Sequence, residues 1–239
     1  MITVISKHLP LIENSLVSRD QILQNIHYVE TLRYGIGALR NLSHREIDMP
    51  KSFEPGIRVT KKEVRHLYRF MAMWFEIENT VRTSRSFLDF FWRTVVSNSP
   101  VLSEIAEVRN QKYMSSAVNY LRKSGETSVT YKLIENEWDS WGKYMMDFRK
   151  YIEYTEPLGG LLSQSVGRLS QVGNELHIFL PDRFPVHRED PRSFQFTYTS
   201  QRFTVPFLES MIHRIDVMFP AVISEIHTQM LDGNSAKHT

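Results

Sequence analysis

The sequence predicts a mostly α-helical fold, a bundle of about five helices with one small β-hairpin before the last helix. Three patterns carry that expectation. Tyr131, Ile134, Trp138, Trp141, Met145, Phe148 and Ile152 recur at spacings of 3, 4, 3, 4, 3 and 4, an apolar stripe along one side of a helix that no strand would give. A second long stripe closes the chain: Leu208, Met211, Ile212, Ile215, Met218, Phe219, Val222, Ile223 and Ile226. Between the two lies the one part of the chain with strand-like alternation.

Residues 1–17 read as an irregular N-terminal arm. Ser18-Arg19-Asp20-Gln21 then has the form of a capping box, with Val17 and Ile22 as its hydrophobic staple. The first helix follows, with Ile22, Ile26, Val29, Leu32, Ile36 and Leu39 on one face. Gly35 and Gly37 lower its intrinsic propensity by about 1 kcal/mol each relative to alanine. Arg40, His44 and Arg45 fall at its C-terminal end, where positive charge suits the dipole, and Pro50 and Pro55-Gly56 mark a loop. Thr60-Lys61-Lys62-Glu63, flanked by Val59 and Val64, repeats the capping device.

The second helix, to about Val96, is the most aromatic segment, with Phe70, Trp74, Phe75, Phe87, Phe90, Phe91 and Trp92 on more than one face. It is expected to be touched on several sides. Glu78/Arg82 and Arg85/Asp89 stand four residues apart within it, the spacing at which charges pair along a helix. Ser99-Pro100 caps a third helix expected to run to about Arg122 and stop at Ser124-Gly125. Ser128 or Thr130 caps the helix that carries the tryptophan stripe, which ends before Pro157 and Gly159-Gly160.

Glu175 to Leu180 alternates in part, and Ser193 to Thr199 alternates strictly with aromatics on one face. The two predict a hairpin spanning about 174–204, whose aromatic face must pack on helices, since an isolated pair of strands is marginal in water. The last helix is expected over about 206–231, kinked at Pro220. The tail, 232–239, is polar and expected to be disordered. No linker-like break interrupts 18–231, so one helical domain is expected there.

Composition narrows the function classes. The 239 residues carry 29 basic and 27 acidic side chains, a net charge of +2, which supports neither a strong nucleic-acid polyelectrolyte nor an acidic tail. A local basic patch remains compatible with that balance. There is no cysteine, which excludes disulfides, thiolate metal sites and cysteine nucleophiles and suits a cytoplasmic protein. The longest apolar run, Phe70–Phe75, is six residues, against roughly 20 for a membrane span. Lys7 and His8 interrupt what would be the apolar part of a signal peptide, so no secretory signal and no membrane association are expected. No glycine-rich phosphate loop, Ser-His-Asp order or His-Glu-x-x-His run is visible, and no cofactor is expected.

The functional signal sits at the end of the stripe, in FRKYIEYTEPLGG, where Arg149 is followed five positions later by Tyr154. This arrangement resembles HEPN-domain proteins, helical bundles whose signature is Arg, a polar residue, three more residues and His. A proline soon after the motif, a hairpin with the turn Leu180-Pro181-Asp182 and a closing amphipathic helix resemble some HEPN-like proteins as well. The resemblance covers about residues 60–230. It implies a dimeric fold that binds RNA or a protein partner, and, in the family's active members, a metal-independent ribonuclease of a toxin or defence system. There Arg stabilises phosphate charge and His transfers a proton near neutral pH.

This chain departs from the signature twice, with Lys150 at the polar position and Tyr154 in place of His. A phenol of pKa about 10 is a poor general base at neutral pH. The resemblance therefore implies phosphate or RNA binding by Arg149, Lys150 and Tyr154, with catalysis absent. The residues by themselves also read as ordinary charges at a helix C-terminus. Arg40 and His44, four apart on one helix face, would make a composite site with Arg149. Arg109-Asn110 begins like the signature, but Met114 stands at the histidine position.

Glu209, His213 and Asp216 share one side of the last helix and are plausible metal ligands by type. Without a second ligand-bearing segment they read as a solvated face, and no metal is expected. A further possibility is a structural or interaction protein of a phage or mobile element with a private partner.

Overall fold

The computed structural model describes residues 16–44, 61–155, 168–172, 175–185, 189 and 194–235, with the backbone alone at 61–70, 154–155, 168–172, 175–176 and 233–235. The fold is mostly helical with an antiparallel hairpin before the last helix. The helices are α1 (Arg19–His44), α2 (Lys61–Asn98), α3 (Pro100–Ser103), α4 (Ala106–Arg109), α5 (Met114–Ser124), α6 (Val129–Glu137), α7 (Lys143–Thr155) and α8 (Thr204–Ser235); the strands are β1 (Arg168–Val172), β2 (Glu175–Leu180) and β3 (Arg202–Phe203). Among the described residues, no helix is long and apolar enough to cross a membrane. The arm before Leu16, the Val59–Thr60 cap and the loop prolines 50 and 55 lie outside the described residues.

Two compact units divide these elements. The first draws on Met1–Thr31, Thr83–Tyr144 and Met211–Thr239. Here α1 and α2 run antiparallel, since the Gln21 side chain meets Asn98 and Asn25 meets Thr94. Phe87 stacks on Phe91 at 5.6 Å, and Phe91 meets Phe219 of α8 edge to face at 5.8 Å. Rings this fully buried are worth about 1.5–3 kcal/mol apiece from area alone. Val17 and Ile22, the expected staple, are both buried, one just ahead of α1 and the other in its first turn.

The second unit draws on Leu32–Arg82 and Met145–Ser210. Its aromatic cluster centres on Phe184, stacked on Phe148 at 4.5 Å, with Tyr151 5.7 Å away. Gly35 lies against α2, where an added Cβ would come 2.9 Å from the Thr80 hydroxyl. A side chain there would have to push α2 side chains aside, which gives that glycine a packing role.

All seven residues of the tryptophan stripe are buried. The helix that carries them is not uniform, however. A π-helical turn, Trp138–Gly142, separates α6 from α7. Gly142 accommodates it: a Cβ there would sit 3.1 Å from the Trp138 ring. Ser128, one of the two expected caps, accepts the Tyr131 N–H at 3.4 Å.

The expected third helix is broken into α3, α4 and α5. Ser99 caps α3 as expected, but the chain leaves helical geometry after Arg109 and re-enters at Met114, whose N–H is taken by Asp89 of α2 at 3.3 Å. A cap supplied from 25 residues upstream lets a new helix start where the local sequence offers none. Gly125, at φ 73°, ends α5 in the left-handed conformation, at the stop the sequence predicts.

The hairpin is present, with a different partner from the one expected. Glu175–Leu180 pairs with the preceding Arg168–Val172, Leu169 opposite Ile178, and among the described residues Arg202–Phe203 pairs on its other edge. Residues 194–198 form no strand. Their alternation is nevertheless real, since half-buried and exposed positions alternate from Phe194 to Tyr198. Phe196 lies edge-on to Tyr151 at 5.5 Å, so its period-2 pattern reports a ring packed on a helix rather than a ladder.

The last helix starts at Thr204, whose hydroxyl donates to the Ile178 carbonyl at 2.7 Å, and it continues through Ser235. Part of the expected tail is therefore helical, while 236–239 lie outside the described residues. All nine residues of its apolar stripe are buried. Pro220 lies within it, removing the N–H that the Asp216 carbonyl would otherwise receive.

Candidate functional site

At the helical end that the motif marks, one of the two cations holds a carboxylate. Arg149, about one-third exposed, pairs with Glu153 one turn on at 2.5 Å. Lys150 is exposed beside it. Tyr154 lies in the last turn of α7, and its side chain falls outside the described residues. Arg40 forms an ion pair with Glu209, near the start of α8. Arg40 and Arg149 thus engage separate carboxylates, and the two ion pairs share no member.

His44 is exposed at the end of α1. Glu209 is committed to Arg40, His213 is exposed and Asp216 half-buried. Among the described residues, no group of three or more His, Asp or Glu is placed to hold a metal ion.

The internal pairs expected in α2 form. Arg82 meets Glu78 at 2.6 Å, and Arg85 meets Asp89 at 2.7 Å with both side chains largely buried. Arg85 also covers the Tyr113 ring at 5.0 Å. Asp89 stands four residues from both Arg85 and Arg93. Its pairing with Arg85 and its capping of Met114 leave Arg93 without that carboxylate.

Arg93 opens the most distinctive polar feature of the first unit. A cleft of about 320 Å³ lies between the C-terminal end of α2 and the α3–α5 connection, lined by Trp92, Arg93, Val96, Ser97, Ser103, Arg109 and Gln111. Four of these come from one stretch of α2 at helical spacing, which places them side by side. Arg93 and Arg109 are exposed, and neither forms an ion pair among the described residues. Ser103 donates its hydroxyl to the Pro100 carbonyl at 3.2 Å, so that proton is not offered to the cleft. Trp92 is 1% exposed, and its buried indole N–H has no acceptor among the described residues.

Among the described residues, no carboxylate and no imidazole lines this cleft. Most of the lining is apolar, and the polar groups on it are two guanidiniums, an amide and two hydroxyls, so the charge it carries is positive. Such a surface attracts an oxyanion and holds no group suited to proton transfer at neutral pH.

The sequence reading reaches Arg109 through its likeness to the signature and Trp92 through its aromatic surroundings, but not Arg93, Ser97, Ser103 or Gln111. One signal was available. Arg109 has no acidic residue three or four positions away on either side, so no partner within its own helix could neutralise it. For Arg93 no local signal existed, because Asp89 stands at pairing distance and only the fold shows it engaged elsewhere.

A second buried polar cluster stands at the π-helical turn. Glu137 receives the Arg214 guanidinium as a two-bonded fork, at 2.9 and 3.0 Å, and the Trp141 indole N–H at 2.9 Å. Each member has a partner, so the cluster is a tie between α6 and α8 rather than a receptor. Comparison with family models, with curated proteins and with solved structures gives no match.

Proposed function

We propose that this chain is a HEPN-like helical protein that binds RNA and does not cleave it. The observation that carries the reading is the cleft at Trp92, where Arg93 and Arg109 stand without carboxylate partners among the described residues. The motif guanidiniums at Arg149 and Arg40 each already hold a carboxylate, so a phosphate arriving there competes with an existing ion pair. At Arg93 and Arg109 it does not. The absence of cleavage follows from chemistry, since Tyr154 replaces the imidazole of the signature and no imidazole lines the cleft.

Single-stranded RNA titrated in EDTA, with the product run on a denaturing gel, tests this. Saturable binding to intact RNA is expected, weakened at least tenfold in the Arg93→Gln/Arg109→Gln double variant. Cleavage in EDTA that disappears in Arg149→Ala would establish the ribonuclease instead.

A second reading, a protein partner or a homodimer, is favoured by a separate observation in the second unit. Phe75 and Met71, one turn apart on α2, are 63% and 40% exposed, and Tyr34 on α1 is 79% exposed. Large rings left in water commonly mark association surfaces. Light scattering of wild type and Phe75→Ser checks it: an assembly that the substitution breaks supports it, and a wild-type monomer at all concentrations removes it.

A further inference from the structure

We propose that the Trp92 cleft is a receptor for a phosphomonoester, carried by a nucleotide that is either free or at the end of an RNA chain. This deepens the RNA-binding reading and depends on it only for which molecule presents the phosphate.

The sign of the wall comes first. Among the described residues, its formal charges are those of Arg93 and Arg109, with no carboxylate beside them. A phosphomonoester carries about −1.5 to −2 charge at pH 7 and three strong acceptor oxygens, which matches two permanently charged guanidiniums. An internal phosphodiester carries a single negative charge and would leave one guanidinium unmatched. It would also have to thread its chain into and out of the same cleft.

Size and wall chemistry agree with an end group. About 320 Å³ stands at the low end of small-molecule sites, which run from roughly 300 to 1,000 Å³. That suits one nucleotide and excludes a duplex. Trp92 and Val96 supply an apolar wall for a sugar or base, while Ser97, Ser103 and Gln111 add neutral polar groups around the phosphate.

Calorimetric titration of the full chain with four ligands tests the proposal. These are one short RNA strand phosphorylated at its 5′ end, the same strand phosphorylated at its 3′ end, the same strand with hydroxyls at both ends, and a nucleoside monophosphate. A phosphorylated strand is expected to bind about tenfold or more tightly than the hydroxyl strand, the scale of a charge-assisted contact. The Arg93→Gln/Arg109→Gln variant, with far-UV circular dichroism unchanged, is expected to lose that preference. Both substitutions lie on the surface, so the fold survives them.

Equal affinity for all three strands overturns the assignment while leaving RNA binding in place. Binding of the monophosphate without binding of any strand upholds the cleft and removes the RNA reading. Binding of none of the four overturns both. A terminal-phosphate preference that survives in the double variant places the receptor elsewhere and overturns the assignment as well.

Discussion

Asp182 organises the turn before β3 with one carboxylate. It accepts the backbone N–H groups of Thr199 and Ser200, each at 2.8 Å, and both of their hydroxyls. The hydroxyls of Ser200 and Thr199 are the main reason its carboxyl is held well below the usual range. A folded-state value below the unfolded one means that the contribution is complete above about pH 3.8 and is lost as pH falls through the depressed value. Asp182→Ala is expected to cost about 1 kcal/mol at pH 7, with the gap to wild type closing as urea midpoints are followed down towards pH 2. A gap that stays constant would show that the charge is not what acts.

Tyr131 works at the other end of the pH scale. Burial, then a hydrogen bond to Glu135, pushes its phenol up to about 12. A raised value means stability that is present below about pH 10 and lost as pH climbs towards 12. Tyr131→Phe, measured by the same denaturation series, is expected to flatten that alkaline limb.

At the scale of elements, the π-helical turn and α8 are joined by Glu137. Its side chain is 11% exposed against 42% for Arg214, so the two halves of the pair are unequal. Arg214 can rehydrate when its partner is removed, whereas Glu137 cannot. Arg214→Ala is therefore expected to cost about 2 kcal/mol, below the 3–5 typical of a wholly buried pair. In a double-mutant cycle with Glu137→Gln the two losses are expected to fall short of adding, and strict additivity in urea denaturation would show no coupling.

The same segment marks what a sequence can and cannot disclose about elements. The stripe from Tyr131 to Ile152 was legible because seven large side chains repeat at helical spacing, and all seven are buried. The π turn inside it was not, because one extra residue per turn leaves a short 3–4 pattern almost unchanged. β1 escaped notice for a different reason: Arg168-Leu169-Ser170-Gln171-Val172 has little apolar alternation to read. Residues 194–198 erred the other way, with strict alternation but no ladder. In the cleft, Arg109 was legible and Arg93 was not, since the competition of two arginines for Asp89 is settled only by the α5 cap.

At the scale of the whole molecule, a net charge of +2 leaves the distribution of the cations to the fold. Arg40, Arg82, Arg85, Arg122, Arg149, Arg183 and Arg214 each hold a carboxylate. A protein that bound RNA through a broad basic face would neutralise many phosphates and lose affinity steeply with salt, whereas a site built on Arg93 and Arg109 neutralises about two. For single-stranded RNA the logarithm of affinity then falls with the logarithm of salt with a slope near −1.4, about 0.7 per contact. Between 50 and 200 mM salt that is a loss of about sevenfold, against a loss of about 300-fold or more for six or more contacts. Titrations at 50, 100 and 200 mM salt are expected to give this shallow slope, and Arg109→Gln to reduce it by about 0.7. A slope steeper than about −3 would mean that RNA meets a wider basic surface than the cleft, because two guanidiniums cannot release that many counterions.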